Sequence, residues 1–401
     1  MKFLHKTLYV LVICFYGVQV FSQDKIEIGE KHTLFSKTLN EEREYWVYLP
    51  PNYSDTIYAP EQYPVAYFLD GDRHFHSLTG IHDFLSKGPY ASLPQMIMVG
   101  VLNTDRARDL TPTQVINKDK SMRSFPTSGG NLKFLSFLEK ELIPEIQKKY
   151  RTNEYRTLIG HSFGGITVLN ALLEKRDLFN AYMAIDPSIW WDDAYILKKA
   201  KEKLKSSHFK GKTLYLARAD NKQKATNKFT KTYQKDIDEH LQLITQFHEV
   251  LKNNTVSKLR WGYDFYKNED HGTISLPAEY QGLQFIYEGY QAQVKVVAAN
   301  PDVLFIQYEE MSKKMGTTIH PSEALIDWIA GYCFKRKLPE NAIKFLKKNT
   351  ELYPKSKNTY LSLAKAYMKN ENKTQAKKVL SKGIEVIDDS TKLVEQLKAL
   401  K

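Results

Sequence analysis

Ser162 lies in Gly160-His161-Ser162-Phe163-Gly164, a G-x-S-x-G pentapeptide extended by Gly165. A serine hydroxyl is a weak nucleophile until a base takes its proton, and an imidazole held by a carboxylate is the usual base. The chemistry to look for is therefore acyl transfer. Downstream of Ser162 stand His208, His240, His248, His271 and His320. His271 follows an apolar run directly, in the short Gly-containing loop Glu269-Asp270-His271-Gly272, where a strand end would deliver a base. His240 and His248 fall inside a long polar helical stretch, His208 precedes the strand of the expected acid, and His320 is in the helical C-terminal region. For the acid, Asp220 ends an apolar run and precedes a helix, which gives the chain order Ser, Asp, His. Asp236, Asp238 and Asp264 are alternatives, as is a dyad without a strong acid; Asp270 is adjacent to the base and points away from its ring.

These side chains need elements to position them. Tyr155–Ile159 reads as a short buried strand, and Ile166, Leu169, Leu172 and Leu173 follow the turn with helical spacing. Strand, sharp turn and helix are the context of a nucleophile elbow, although a Gly-rich turn ahead of a core helix has the same local look. Tyr63–Leu69 and Gln95–Val101 are continuous apolar runs of the kind buried on both sheet faces. Tyr182–Pro187, Lys212–Ala217 and Lys258–Tyr266 read as further strands, with a long helix at about 226–252. Residues 33–50 alternate apolar and polar, predicting an antiparallel strand. Strands that alternate with helices predict a mostly parallel central sheet with helices on both faces.

The chain has 401 residues, enough for two domains. Its 58 Lys+Arg against 46 Asp+Glu give net +12 without a dense basic block, which argues against nucleic acid as a partner. Lys2 and Lys6 precede an apolar run from Leu8 to Phe21, predicting a secretory signal over 1–22, export to the periplasm or beyond, and no membrane span once it is removed. Removal also takes Cys14 and leaves Cys333 alone, so no internal disulfide is expected. From about residue 300 the pattern is purely helical. Residues 323–356 and 357–390 superpose at a 34-residue offset, with Ile326 on Tyr360, Ala330 on Ala364, Ala342 on Ala376 and Leu346 on Leu380. That is the period of tetratricopeptide (TPR) repeats. Two repeats rarely stand alone, so they are expected to lean on the α/β domain, on a helix over 302–315, or on a capping helix at 390–400. The expected division is signal 1–22, α/β domain 23–292, linker helix region 293–322 and TPR-like repeats 323–401.

Leu69-Asp70-Gly71-Asp72, Asn103 with Arg106 to Pro112, Gly160 to Gly165, Asp186-Pro187-Ser188-Ile189-Trp190-Trp191, and His271-Gly272 followed by Leu276-Pro277 occur in the order that resembles the Putative esterase family. That family includes siderophore (enterobactin-type), feruloyl, acetyl-xylan and esterase D-like enzymes, and the match covers about residues 30–290. The resemblance implies an α/β-hydrolase fold and serine carboxylic-ester hydrolysis without metal or organic cofactor. It implies Ser162 as nucleophile, His271 as base, and the N–H groups of Asp72 and Phe163 as oxyanion donors. It also implies substrate contacts from Arg106, Trp190 and Trp191. Arg218-Ala219-Asp220-Asn221 departs from the Gly-containing turn that many members have before the acid. The expectation is an exported serine esterase acting on a siderophore trilactone or on feruloyl or acetyl esters of polysaccharides. The rival is a non-catalytic or acyltransferase hydrolase-like protein that binds a partner through its C-terminal repeats.

Overall fold

The computed structural model describes residues 25–116, 124–206, 208–220 and 228–400. The expected signal, residues 1–22, lies outside the described residues. Among the described residues no helix is long and apolar enough to cross a membrane.

Eight strands form one sheet: β1 (Glu30–Ser36), β2 (Glu41–Tyr48), β3 (Tyr63–Leu69), β4 (Ile97–Val101), β5 (Thr152–His161), β6 (Ala181–Ile185), β7 (Thr213–Ala219) and β8 (Arg260–Tyr266). Their spatial order is β1-β2-β4-β3-β5-β6-β7-β8. β1 and β2 are antiparallel, β2 meets β4 antiparallel, and β4, β3, β5, β6, β7 and β8 run parallel. Every residue of β3, β4 and β6 is buried. Helices cover both faces, so an unbroken apolar run is what such a strand needs. The single strand expected over 33–50 is instead a hairpin, turning at Asn40 with φ 60°. Asn tolerates that left-handed conformation better than most residues, and it was the available sign of a turn.

After β3 the chain moves outward to β4 and then returns to the other side of β3 to make β5. The sheet therefore reverses direction between β3 and β5, and the carboxyl ends of those strands border a crevice where open α/β sheets place their sites. β3 runs into the helix Gly71–Leu85 and β5 into the helix Phe163–Glu174.

The C-terminal region is all helical. Helices Glu323–Lys335 and Pro339–Leu352 are followed by Lys357–Lys369 and Lys373–Val386, so each helix of the second pair starts 34 residues after its counterpart. One apolar cluster joins this region to the sheet. Phe68, Phe75, Met98, Met183 and Ile286 belong to it, as do Tyr308, Ile326, Ile329, Cys333 and Leu363. Glu323, fully buried, ties the junction: its carboxylate accepts the Ala59 N–H at 2.8 Å and the Ser356 hydroxyl at 2.8 Å.

Glu61 lines a cavity at the same junction with Tyr58, Tyr290 and Trp328. Burial first, and then the charges of Glu323 and Asp55, push its carboxyl up to about 7. A folded-state value above the unfolded one means stability present in acid and lost as the pH rises through the folded value. Glu61→Gln should therefore stabilise the protein by about 2 kcal/mol near pH 8 and by little near pH 5. Urea midpoints at the two pH values check this; equal midpoints for the two proteins near pH 8 would count against it.

Candidate active site

Ser162 occupies the turn between β5 and the helix Phe163–Glu174, with φ 59° and ψ −114°. Such a conformation costs a non-glycine residue on the order of 1–3 kcal/mol and persists only where the surroundings fix it. Here they do. The Ser162 N–H donates to the Ile185 carbonyl at 3.0 Å, and the Ser162 carbonyl accepts from Ser188 and Ile166 N–H groups at 3.1 Å each. The turn is so tight that a Cβ on Gly160 would lie 2.4 Å from the Gly164 carbonyl oxygen, and one on Gly165 would lie 2.9 Å from Pro187 Cα. Glycine at these two places is a consequence of strand and helix meeting at that distance.

His271 comes from the loop between β8 and the helix Ser275–Ile286, and its Nε2 lies 3.0 Å from Ser162 Oγ. Its Nδ1 lies 2.6 Å from a carboxylate oxygen, Asp186 Oδ2. The expected acid, Asp220, is not the residue in that place. Asp220 follows β7, and its N–H donates to the carbonyls of Tyr266 and Glu269. β7 serves the site differently: the Ala219 N–H donates to Asp186 Oδ1 at 3.0 Å, and the Asp186 N–H donates to the Ala217 carbonyl at 2.8 Å. β6 and β7 are parallel neighbours whose carboxyl ends lie side by side, so either can aim an acid at the histidine. Of the other candidates, Asp264 accepts the Tyr215 hydroxyl at 2.7 Å and Asp238 is exposed, while the side chain of Asp236 lies outside the described residues.

Asp186 is fully buried and also has a positive φ, 41°. Burial opposes its ionisation, but hydrogen bonds and charge from His240 and His271 prevail and hold the carboxyl far below the usual range. Asp186, His240 and His271 also offer ligand atoms within 4.8 Å of one another, the spacing of a metal site. Two of those ligand atoms, His271 Nδ1 and His240 Nε2, already face the third, Asp186 Oδ2, at hydrogen-bonding distance.

On its other side the His271 ring packs on His161, with ring centroids 4.5 Å apart. Burial, then the nearby charges of His271 and His74, lower His161 to about 3, so it stays a neutral wall for the imidazole. The His271 side chain is 43% exposed and Ser162 half-buried, so a substrate can reach both.

The Asp70-Gly71-Asp72 turn starts the helix Gly71–Leu85, with Asp70 at φ 53°. The Arg73 and His74 N–H groups donate to the Asp70 carbonyl. Those of Gly71 and Asp72 have no acceptor within the helix, as at any helix start. The Phe163 N–H opens the neighbouring helix in the same way. The two helix starts adjoin, since a Cβ on Gly164 would be 3.5 Å from Asp70 Oδ2. Arg106 grips the Asp70 carboxylate through Nε at 2.6 Å and Nη2 at 2.9 Å, and Asn103 Nδ2 donates to it at 2.6 Å. Burial would raise the Asp70 carboxyl, but these partners hold it below the usual range. Arg106 thus anchors the turn, and its guanidinium also lies 5.2 Å from the Phe163 ring centroid with 37% of the side chain exposed. The two tryptophans part company. Trp190 is half-buried beside Phe163, whereas Trp191 is only 1% exposed and donates its indole N–H to Thr113, which makes it a support for the wall.

With this geometry in view, the likeness to known proteins falls into place. A family model described as Putative esterase matches residues 36–271, more than half of the chain, and the chain belongs to that family. It is 35% identical over 173 residues to ferri-bacillibactin esterase BesA of Bacillus subtilis, covering 40% of this chain and 59% of that one. It is 27% identical over 179 residues to the siderophore triacetylfusarinine C esterase of Aspergillus fumigatus, covering 40% and 60%. The matched segment thus spans less than two thirds of either curated relative. Among solved structures, an IroE-like serine hydrolase from Shewanella oneidensis superposes with TM-score 0.71 at 30% identity, covering 81% of this chain and 99% of the other. The fold is that of an α/β-hydrolase with an added all-helical C-terminal region.

Proposed function

We propose that the protein is a serine esterase that cleaves the ester bonds of siderophores. The observation that carries this reading is the continuous relay from Ser162 Oγ to His271 Nε2 at 3.0 Å and from His271 Nδ1 to Asp186 at 2.6 Å. Ser162 Oγ attacks the ester carbonyl as His271 Nε2 takes its proton. The oxygen that gains negative charge is received by the Phe163 and Asp72 N–H groups at the two adjoining helix starts. When the C–O bond breaks, His271 returns the proton to the departing alcohol and an acyl-Ser162 ester remains. Water then attacks that ester with His271 again as base, releasing the carboxylic acid and restoring the serine. Asp186 stays ionised, keeps the proton on His271 Nδ1 and stabilises the imidazolium.

The substrate class draws support from the printed activities of the two siderophore esterases to which the chain is similar. The net charge of +12 favours anionic ferric complexes over neutral glycan esters. The amino-terminal pattern of Lys2, Lys6 and the apolar run supports action outside the cytoplasm. The test is parallel kinetics on a ferric catecholate trilactone, a feruloyl ester and an acetylated xylan. The expected result is kcat/KM for the trilactone at least about tenfold above the other two. A preference for either glycan ester would reject siderophores as the substrate class.

A further inference from the structure

His240 contributes nothing to the relay just described, yet it reaches the heart of it. It projects from the long helix Lys228–Asn253 and is buried, and its Nε2 lies 3.2 Å from Asp186 Oδ2. That is the same oxygen that faces His271 Nδ1 at 2.6 Å. The two imidazoles stand nearly perpendicular, with ring centroids 5.7 Å apart. A carboxylate oxygen has two lone-pair directions, so two perpendicular donors can share it without competing.

The other end of the ring shows what this arrangement costs. Among the described residues, His240 Nδ1 is buried with no hydrogen-bond partner. Leaving a buried polar atom unpaired costs about 1–3 kcal/mol, a penalty that an apolar residue in the same volume avoids. Beyond it the described part of that helix face is apolar, with Ile244, Phe247 and Leu251 buried along it. A leucine or phenylalanine at 240 would continue the stripe. Among the described residues, the histidine's one hydrogen bond is with the carboxylate.

Resting on the esterase reading above, we infer that His240 is a positioning residue for the reaction. By donating from Nε2 to Asp186 Oδ2 it fixes the plane of the carboxylate and keeps it charged against its burial. The lone pair offered to His271 is then aimed before any substrate arrives. His240 touches neither substrate nor serine; it acts through Asp186.

The test measures the second-order rate at which a fluorophosphonate labels Ser162, since this reports activation of the nucleophile whatever the natural ester is. His240→Leu and the ring-sized His240→Phe should slow labelling about 10- to 100-fold, the size of one hydrogen bond to a charged group. His240→Gln, whose amide nitrogen can reach where Nε2 was, should return to within about fivefold of wild type. In an Asp186→Asn background, His240→Leu should cost less than about twofold, because its target is gone. Equal losses in both backgrounds, or a Gln variant as slow as Leu, would overturn the inference and leave the esterase reading standing. A wild-type protein that takes no label would overturn the esterase reading itself, and this inference with it.

Discussion

Asp186→Asn is expected to lower ester hydrolysis by about three to four orders of magnitude, while Asp220→Asn stays within about threefold of wild type. An asparagine keeps the shape of the carboxylate but offers His271 either an amide N–H or an oxygen without charge. The imidazolium formed during attack then loses its counter-charge, and the tautomer with a bare Nε2 loses its support. Asp220 enters the hydrogen-bond pattern through its backbone N–H, which the substitution retains. Steady-state kinetics of the two variants on one aryl ester distinguish them. A severe loss in Asp220→Asn with a mild one in Asp186→Asn would return the role of acid to β7.

Ser162→Ala and His271→Ala should each abolish turnover to within about a thousandfold of the uncatalysed rate, and the double variant should be no worse than either. In the proposed mechanism the two groups, 3.0 Å apart, act as one unit, so removing the second after the first takes nothing more away. Neither change removes an apolar side chain from the core, and Asp186 keeps its contacts with His240 and the Ala219 N–H. Ser162→Ala keeps the left-handed turn that the Ile185, Ser188 and Ile166 contacts impose, and His271 is 43% exposed. Thermal unfolding should therefore stay within a few degrees of wild type. Substantial aryl acetate hydrolysis by Ser162→Ala would remove the serine from the mechanism.

Much of this architecture can be read from residue order. The apolar run Tyr63–Leu69 coincides with β3 residue for residue, and the strand-turn-helix around Ser162 is written in the glycines that flank it. His271 stands out because a strand leads into it. The acid is harder, for a physical reason. β6 and β7 end at the same height beside the same histidine, and spacing along the chain does not say which terminus faces the ring. Asp186 lies within Asp186-Pro187-Ser188-Ile189-Trp190-Trp191, whereas the chain order Ser, Asp, His points one strand later, to Asp220. His240 gives a weak signal because its helix is polar on average. Its period was the better guide: 240, 244, 247 and 251 fall on one face, and the last three are Ile, Phe and Leu. A histidine on an otherwise greasy stripe has been brought inside for a reason. Trp191 illustrates the reverse, since two adjacent tryptophans look equivalent in a sequence and only one can face the cleft when the chain turns between them.

The apolar cluster shared by the sheet and the C-terminal helices has a bearing on the base. Ile274, Ala278, Leu283 and Ile286, just beyond His271, belong to that cluster together with Tyr308, Ile329 and Leu363. The mooring of the imidazole is thus rooted in the same packed mass as the carboxy-terminal third of the chain. In the proposed mechanism, then, trimming the outer helices would loosen the packing behind the base rather than the serine, whose own turn is held by Ile185 and Ser188.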